Sequence, residues 1–196
     1  MMKAFKTGLV LSLFLFISTN AQTTWDFDKS HSKIGFEVTH LVITDVEGQF
    51  NSYEGTVVSN NEDFSDAKIN FTADINSIDT DNEKRDGHLK SDDFFNAEKF
   101  PKLTFVGKSF KKVDGKNYKL VGDLTIRDIT KEVSLDVKYA GTVTDPWGNV
   151  KAGFNVTGAI NRFDYNLKWN ALMEAGGAVV GEEVRFDIDI ELNKKS

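Results

Sequence analysis

Glu183-Val184-Arg185-Phe186-Asp187-Ile188-Asp189-Ile190-Glu191-Leu192 alternates charged and apolar side chains over ten residues. A helix would scatter those charges around its circumference, whereas a strand sets all of them on one face and the apolar residues on the other. The stretch is therefore a strand with one buried face and one wet one.

The same period of two recurs upstream. Ile34, Phe36, Val38 and His40 alternate with Lys33, Gly35, Glu37 and Thr39, and Ala67, Ile69, Phe71, Ala73 and Ile75 alternate with Lys68, Asn70, Thr72 and Asp74. A looser version covers 46–58, 102–110, 118–126, 132–143 and 150–161, which makes about eight strands. Asp114-Gly115 and Asp145-Pro146-Trp147-Gly148 supply hairpin turns between them. The expected fold class is all-β and antiparallel. Eight such strands close either as a barrel or as a two-sheet sandwich, and periodicity alone leaves both open. Two segments break the alternation. Residues 79–99 carry Asp79-Thr80-Asp81 as helix caps and predict one or two short helices between strands three and four, ended by Pro101. Residues 163–181, aromatic and glycine-rich, predict a long loop or short helix, and insertions of this length often cover a cavity.

The N-terminus predicts export. Lys3 and Lys6 precede an apolar run from Gly8 to Ile17, and Thr19-Asn20-Ala21 offers the small residues of a cleavage site before Gln22. Ten apolar residues are too few to span a bilayer that needs roughly 20. The expectation is a signal peptide over 1–21, a periplasmic mature chain over 22–196 and no integral membrane segment in it. The chain has no cysteine, so disulfides, thiolate zinc sites and thiol nucleophiles are excluded. Removing the leader's two lysines takes the formal net charge from −6 to −8. Such an acidic chain repels phosphate backbones and argues against nucleic acid as a partner.

Catalytic and metal motifs fail in turn. His31 and His40 stand nine residues apart, about 30 Å along an extended strand, and His88 completes no metal-binding spacing with either. No nucleophile elbow is present, and most carboxylates sit on solvent faces of strands. Gly176-Gly177-Ala178-Val179-Val180-Gly181 leads into Glu182-Glu183, the wrong charge for a phosphate loop. No metal, cofactor or catalytic residue is expected. What remains is a surplus of aromatic residues with inward parity, out of 16 phenylalanines in the chain. They fill a sealed barrel or line an apolar pocket, and small barrels take both forms.

Specific strings add a resemblance. Asp28-Lys29-Ser30-His31-Ser32 before Phe36 and His40, then Gly48-Gln49-Phe50, resembles the opening of the YceI-like polyisoprenoid-binding family. Ser77-Ile78-Asp79-Thr80, Arg85-Asp86-Gly87-His88-Leu89-Lys90-Ser91, Phe94-Phe95 and Phe100-Pro101 are similar to its central signature. Gly122-Asp123-Leu124-Thr125-Ile126, Trp169-Asn170 and Gly181-Glu182-Glu183-Val184 continue the match in order. Two places depart from the pattern: Arg162-Phe163-Asp164-Tyr165-Asn166-Leu167-Lys168, and Arg127-Asp128-Ile129 where a glycine turn is usual.

The resemblance implies a lipocalin-like eight-stranded barrel whose tunnel holds a polyisoprenoid, a quinone or another long lipid, without turnover. It implies that Phe36, Phe50, Phe71, Phe105, Leu124, Phe154 and Phe186 line the tunnel, with Phe94, Phe95, Phe163 and Trp169 from the insertions. His40, Arg85, His88 and Arg162 are the polar candidates near its mouth, alongside His31. The alternatives are an enzyme acting on a bound isoprenoid with His31 or His88 as base, and a ligand-free stress-response barrel. Whether one tunnel or the interface of a homodimer receives the tail stays open at this level.

Overall fold

Glu183–Leu192 lies within the last strand of a closed barrel. The computed structural model describes residues 22–172 and 176–195, so the expected leader, 1–21, lies outside the described residues. The strands are β1 (Thr23–Phe27), β2 (Lys33–His40), β3 (Thr44–Phe50), β4 (Tyr53–Ser59), β5 (Lys68–Asp74) and β6 (Ile78–Asp79). Helix α1 (Glu83–Lys90) follows, then β7 (Lys102–Asp114), β8 (Asn117–Ile126), β9 (Ile129–Thr144), β10 (Val150–Asn161) and β11 (Val180–Lys194).

Every pairing is antiparallel, and the circuit β1-β4-β5-β7-β8-β9-β10-β11 closes through Trp25↔Lys194 and its neighbours. That closing pair decides for the barrel over the sandwich. The remaining strands extend three of those eight positions. β11 pairs along its length with β1 and then β2, β3 continues into β4, and β5 continues into β6 through a 3-10 turn at Ile75–Ser77. Eight strand positions with one helix between the third and fourth is the architecture the alternation and the insertion predict.

Local details differ from the sequence expectation for identifiable reasons. The stretch 46–58 is not one strand but bends at Asn51-Ser52, because the 3-10 turn crosses it there. Ser52 N donates to Ser77 Oγ at 2.9 Å and Asn51 N to the Ser77 carbonyl at 3.1 Å. The cap of α1 is Asn82, whose side chain accepts from Arg85 N at 3.0 Å. The expected caps are otherwise engaged: Thr80 donates through N and Oγ1 to Asp86 Oδ1, and Asp79 Oδ1 accepts from Asp81 N. β1 and β6 are too short for their period to register.

Register explains how so many aromatic rings fit inside. One row of directly opposed residues runs Gly48–Phe36–Phe186–Gly158, and a second runs Gly55–Phe71–Phe105–Leu124. The Phe36 ring lies against Gly48, and a Cβ added at Gly158 would meet Leu135 Cδ2 at 2.5 Å. Glycine opposite phenylalanine keeps each row within the barrel's diameter without strain.

Candidate ligand cavity

The interior side chains leave a cavity of about 210 Å³, measured as the space open to the centre of a water-sized sphere. One water needs roughly 10–15 Å³ of such space, so this is far more than a packing defect. Its wall is carbon almost throughout. Ile34, Phe36 and Val38 contribute from β2, Phe105 from β7, Leu120 and Leu124 from β8, and Phe186, Ile188 and Ile190 from β11. A buried water makes about three hydrogen bonds to polar partners, and this wall offers almost none. The space is thus suited to hydrocarbon.

The two ends of the barrel are closed differently. At the end away from α1, Phe64 folds inward from the β4–β5 loop and is only 1 % exposed. Its ring packs on Trp25 (5.0 Å), Phe154 (5.0 Å) and Tyr139 (5.7 Å), while Phe110 stacks on Tyr118 at 4.7 Å. Tyr118 Oη donates to the Asp63 carbonyl at 2.8 Å and so ties the plug to the wall. Asp66 holds the loop itself, accepting from Ser59 Oγ, Asn60 N and Asn61 N.

At the α1 end two arginines hold a roof. Arg162, 2 % exposed, donates through Nε to the Gly181 carbonyl (2.7 Å) and through Nη1 to the carbonyls of Leu167 and Trp169. Its Nη2 reaches the Val180 carbonyl at 3.3 Å. No carboxylate pairs with it among the described residues, and burial pushes its ordinarily high pKa down. Arg127 donates through Nη1 to the carbonyls of Phe94 (2.6 Å), Asp92 and Asn166 (both 3.1 Å). Arg127 and Asp128 both have positive φ, 49° and 56°, so the departure from the glycine pattern forms a tight hairpin turn from residues that rarely adopt it. The turn aims Arg127 at the roof. The other departure, Arg162–Tyr165, is a 3-10 helix stopped by left-handed Asn166. Among the described residues Tyr165 Oη, Asn170 Oδ1 and Arg127 Nε are buried without a partner, two on these segments and the third just beyond them. Burial pushes the Tyr165 phenol up to about 12.

Of the candidate residues, Phe36, Phe50, Phe71, Phe94, Phe95, Phe105, Leu124, Phe154, Arg162 and Phe186 lie on the cavity wall. His40, Arg85, His88, Phe163 and Trp169 stand off that wall. His40 ends β2, with its carbonyl accepting from Ile43 N. Arg85 is engaged with Thr80, through Nε to Oγ1 at 2.7 Å and Nη2 to the carbonyl at 2.5 Å. His88 pairs with Asp93 at 2.9 Å and packs edge-on against Phe94 and Trp169, so the His88 and Trp169 rings back the wall residue Phe94. Phe163 lies under the Arg162 guanidinium at 4.4 Å.

Sequence reading missed Phe27, Phe64, Leu89 and Phe110 on the wall. Phe64 sits in Asp63-Phe64-Ser65-Asp66, which reads as a plain turn. Phe110 follows the register shift between Gly107 and Ser109, where counting by twos fails. A further grouping also escaped it. Asp28, His31 and Glu191 bring ligand atoms within 4.8 Å of one another, joined across 160 residues of sequence. The Lys151 ammonium stands 2.7 Å from both carboxylates and offsets one of their two charges. Burial alone raises the Asp28 carboxyl, but Lys151, with His31 and Ser30 N, holds it well below the usual carboxylate range.

A closed antiparallel barrel around a carbon-walled cavity, plugged at one end and roofed at the other, defines the kind of protein this is. Residues 25–192 match the YceI-like domain, and the chain belongs to that family. The UPF0312 protein SAS2572 of Staphylococcus aureus (strain MSSA476) is 40% identical over 172 residues, 87% of this chain and 98% of that protein. The crystal structure of the Campylobacter jejuni YceI protein is similar with a TM-score of 0.66 at 32% identity, covering 86% of this chain and 96% of that one. A polyisoprenoid binding domain from Saccharophagus degradans, implicated in plant cell wall breakdown, shares the fold with a TM-score of 0.62 at 14% identity, covering 87% and 98%.

Proposed function

We propose that the chain holds a long apolar ligand, a polyisoprenoid, quinone or similar lipid, inside the barrel without chemical turnover. In this reading residues 1–21 direct export, and the mature chain works in the periplasm as a carrier or sequestering protein. The observation that carries the proposal is the cavity wall, which offers carbon to its contents and almost no hydrogen-bonding group. Each buried CH₂ contributes roughly 0.8 kcal/mol, so chain length rather than polar contacts sets affinity. Arg162, the polar residue on the wall, directs its nitrogens at backbone carbonyls, which puts the head group at or beyond the roof. The polyisoprenoid-binding description of the Saccharophagus domain accords with this reading, although that domain shares only the fold.

A series of straight-chain alcohols displacing the dye N-phenyl-1-naphthylamine tests it. Affinity should rise about fourfold per CH₂ until the cavity is full, then level off. Val156→Trp, which narrows the cavity from β10, should move the plateau to shorter chains. Affinity independent of chain length, with a folded Val156→Trp variant behaving as wild type, would sink the proposal.

A further inference from the structure

The β2–β3 hairpin stands at the roofed end of the barrel and turns through Leu41-Val42-Ile43. Two-strand turns of this length ordinarily use glycine, asparagine or aspartate where φ is positive. Here Leu41 (φ 51°) and Val42 (φ 65°) take that conformation, and a β-branched residue there is an outlier. The turn chemistry has been given up for apolar surface. The adjacent Val42 and Ile43 are 66 % and 80 % exposed. The neighbouring roof segment adds Leu172, 84 % exposed, and is joined to the hairpin by Leu41 N donating to the Val179 carbonyl at 3.0 Å.

The strands that carry the patch also carry cavity wall. Val180, directly opposite His40, lies on the cavity wall, as does Val38, three residues before Leu41. The far end has exposed apolar residues too, but they are dispersed. Val113 and Val143 stand on separate strands, and Trp147 borders a groove with Asp28, His31, Asp145, Lys151 and Glu191. That end is also plugged. An apolar tip beside the roofed end of a carbon-walled cavity matches a medium that dissolves what the cavity holds, which is a lipid bilayer. Near the tip Asp45 and Glu183 pair with Arg185, and Glu47 with Lys33, which with Glu182 leaves carboxylates in excess of cations, so the headgroup surface it fits is zwitterionic rather than anionic.

We infer that the Leu41–Ile43 tip docks the barrel on a zwitterionic lipid surface, placing the roofed end of the cavity against the bilayer. The inference builds on the cavity reading but is tested separately from it. The mature chain is floated with phosphatidylcholine vesicles, and with vesicles containing one third phosphatidylglycerol. Wild type should float with the first and less with the second. Val42→Asp combined with Ile43→Asp should lower the vesicle-bound fraction at least tenfold, and the milder Val42→Ser with Ile43→Ser should lower it too. Val143→Asp, at the far end, should stay within twofold of wild type. Uptake of N-phenyl-1-naphthylamine in vesicle-free buffer reports on the cavity and should stay within twofold in every variant. Absence of wild-type flotation, flotation of the double aspartate variant, or equal loss in Val143→Asp would each overturn the docking. So would a wild-type dimer in sedimentation that the double variant dissociates without any vesicle association, since the patch would then face a second copy. Failure of dye uptake in all proteins would count against the cavity reading instead.

Discussion

The two ends of this barrel are closed by opposite means. The far end is filled by side chains: Phe64, Trp25, Phe154, Phe110 and Tyr118 stack on one another, and few of their atoms are polar. The α1 end is closed by backbone, a non-repetitive segment held down by guanidinium groups on carbonyl oxygens. A stacked plug opens only by exposing large apolar surface, which costs several kcal/mol. A roof held by hydrogen bonds opens by exchanging carbonyl acceptors for water, and the net cost of each exchange is small. Among the described residues, the buried polar side-chain atoms without partners, Tyr165 Oη, Asn170 Oδ1 and Arg127 Nε, are all at the roof. They would gain partners on opening. The barrel thus has a base filled by side chains and a roof held by hydrogen bonds, and in the proposed carrier reading the ligand enters through the roof.

The contrast can be broken from either side. Phe64→Ala should have the largest effect, about 3–5 kcal/mol of stability in urea unfolding, because a fully buried ring is lost from the plug. It should also speed dye release by opening a second mouth. A loss below about 1 kcal/mol would mean the plug is not the base of the structure. Arg162→Met should cost about 3 kcal/mol, since several carbonyls lose their donor while partly buried. Arg162→Lys should recover under half of that, because an ammonium cannot reach four acceptors in a plane.

A pH experiment sharpens the picture of the base. Asp28 is held below its ordinary range by Lys151, so its contribution is complete above the unfolded pKa of about 3.9 and fades as pH falls through the folded value. The stability gap between wild type and Lys151→Met should therefore be constant from about pH 5 to pH 8 and shrink below pH 4. A gap that widens in acid would contradict the pairing. The smallest effect belongs to the tip. Val42→Gly should raise stability by about 1 kcal/mol, as glycine takes positive φ without strain.

How much of this was legible follows from what each region is made of. The wall was readable because one wet face and one dry face impose a period of two, and Phe36, Phe71, Phe105 and Phe186 fall on the inward parity. The helix after strand three was readable as an interruption, but not its cap, because Asp79 and Thr80 were as plausible as Asn82 until their own partners were visible. The ends were not readable. Phe64 stands in a turn where no periodicity exists, and Arg162, though singled out as a polar candidate, gave no hint that its partners would be carbonyls. His40, Arg85, His88, Phe163 and Trp169 show the same limit: each belongs to a loop, a strand end or α1, where sequence order does not determine which way a side chain points. The Asp28–Lys151–Glu191 cluster depends on barrel closure, which sets β1 beside β11.

The most direct test of the central claim is native mass spectrometry of the mature protein purified without detergent, followed by organic extraction. A stoichiometric long-chain adduct, lost or shortened in Val156→Trp, is the predicted result. A bare protein mass, with no uptake when quinones and polyprenyl phosphates are offered, would contradict it.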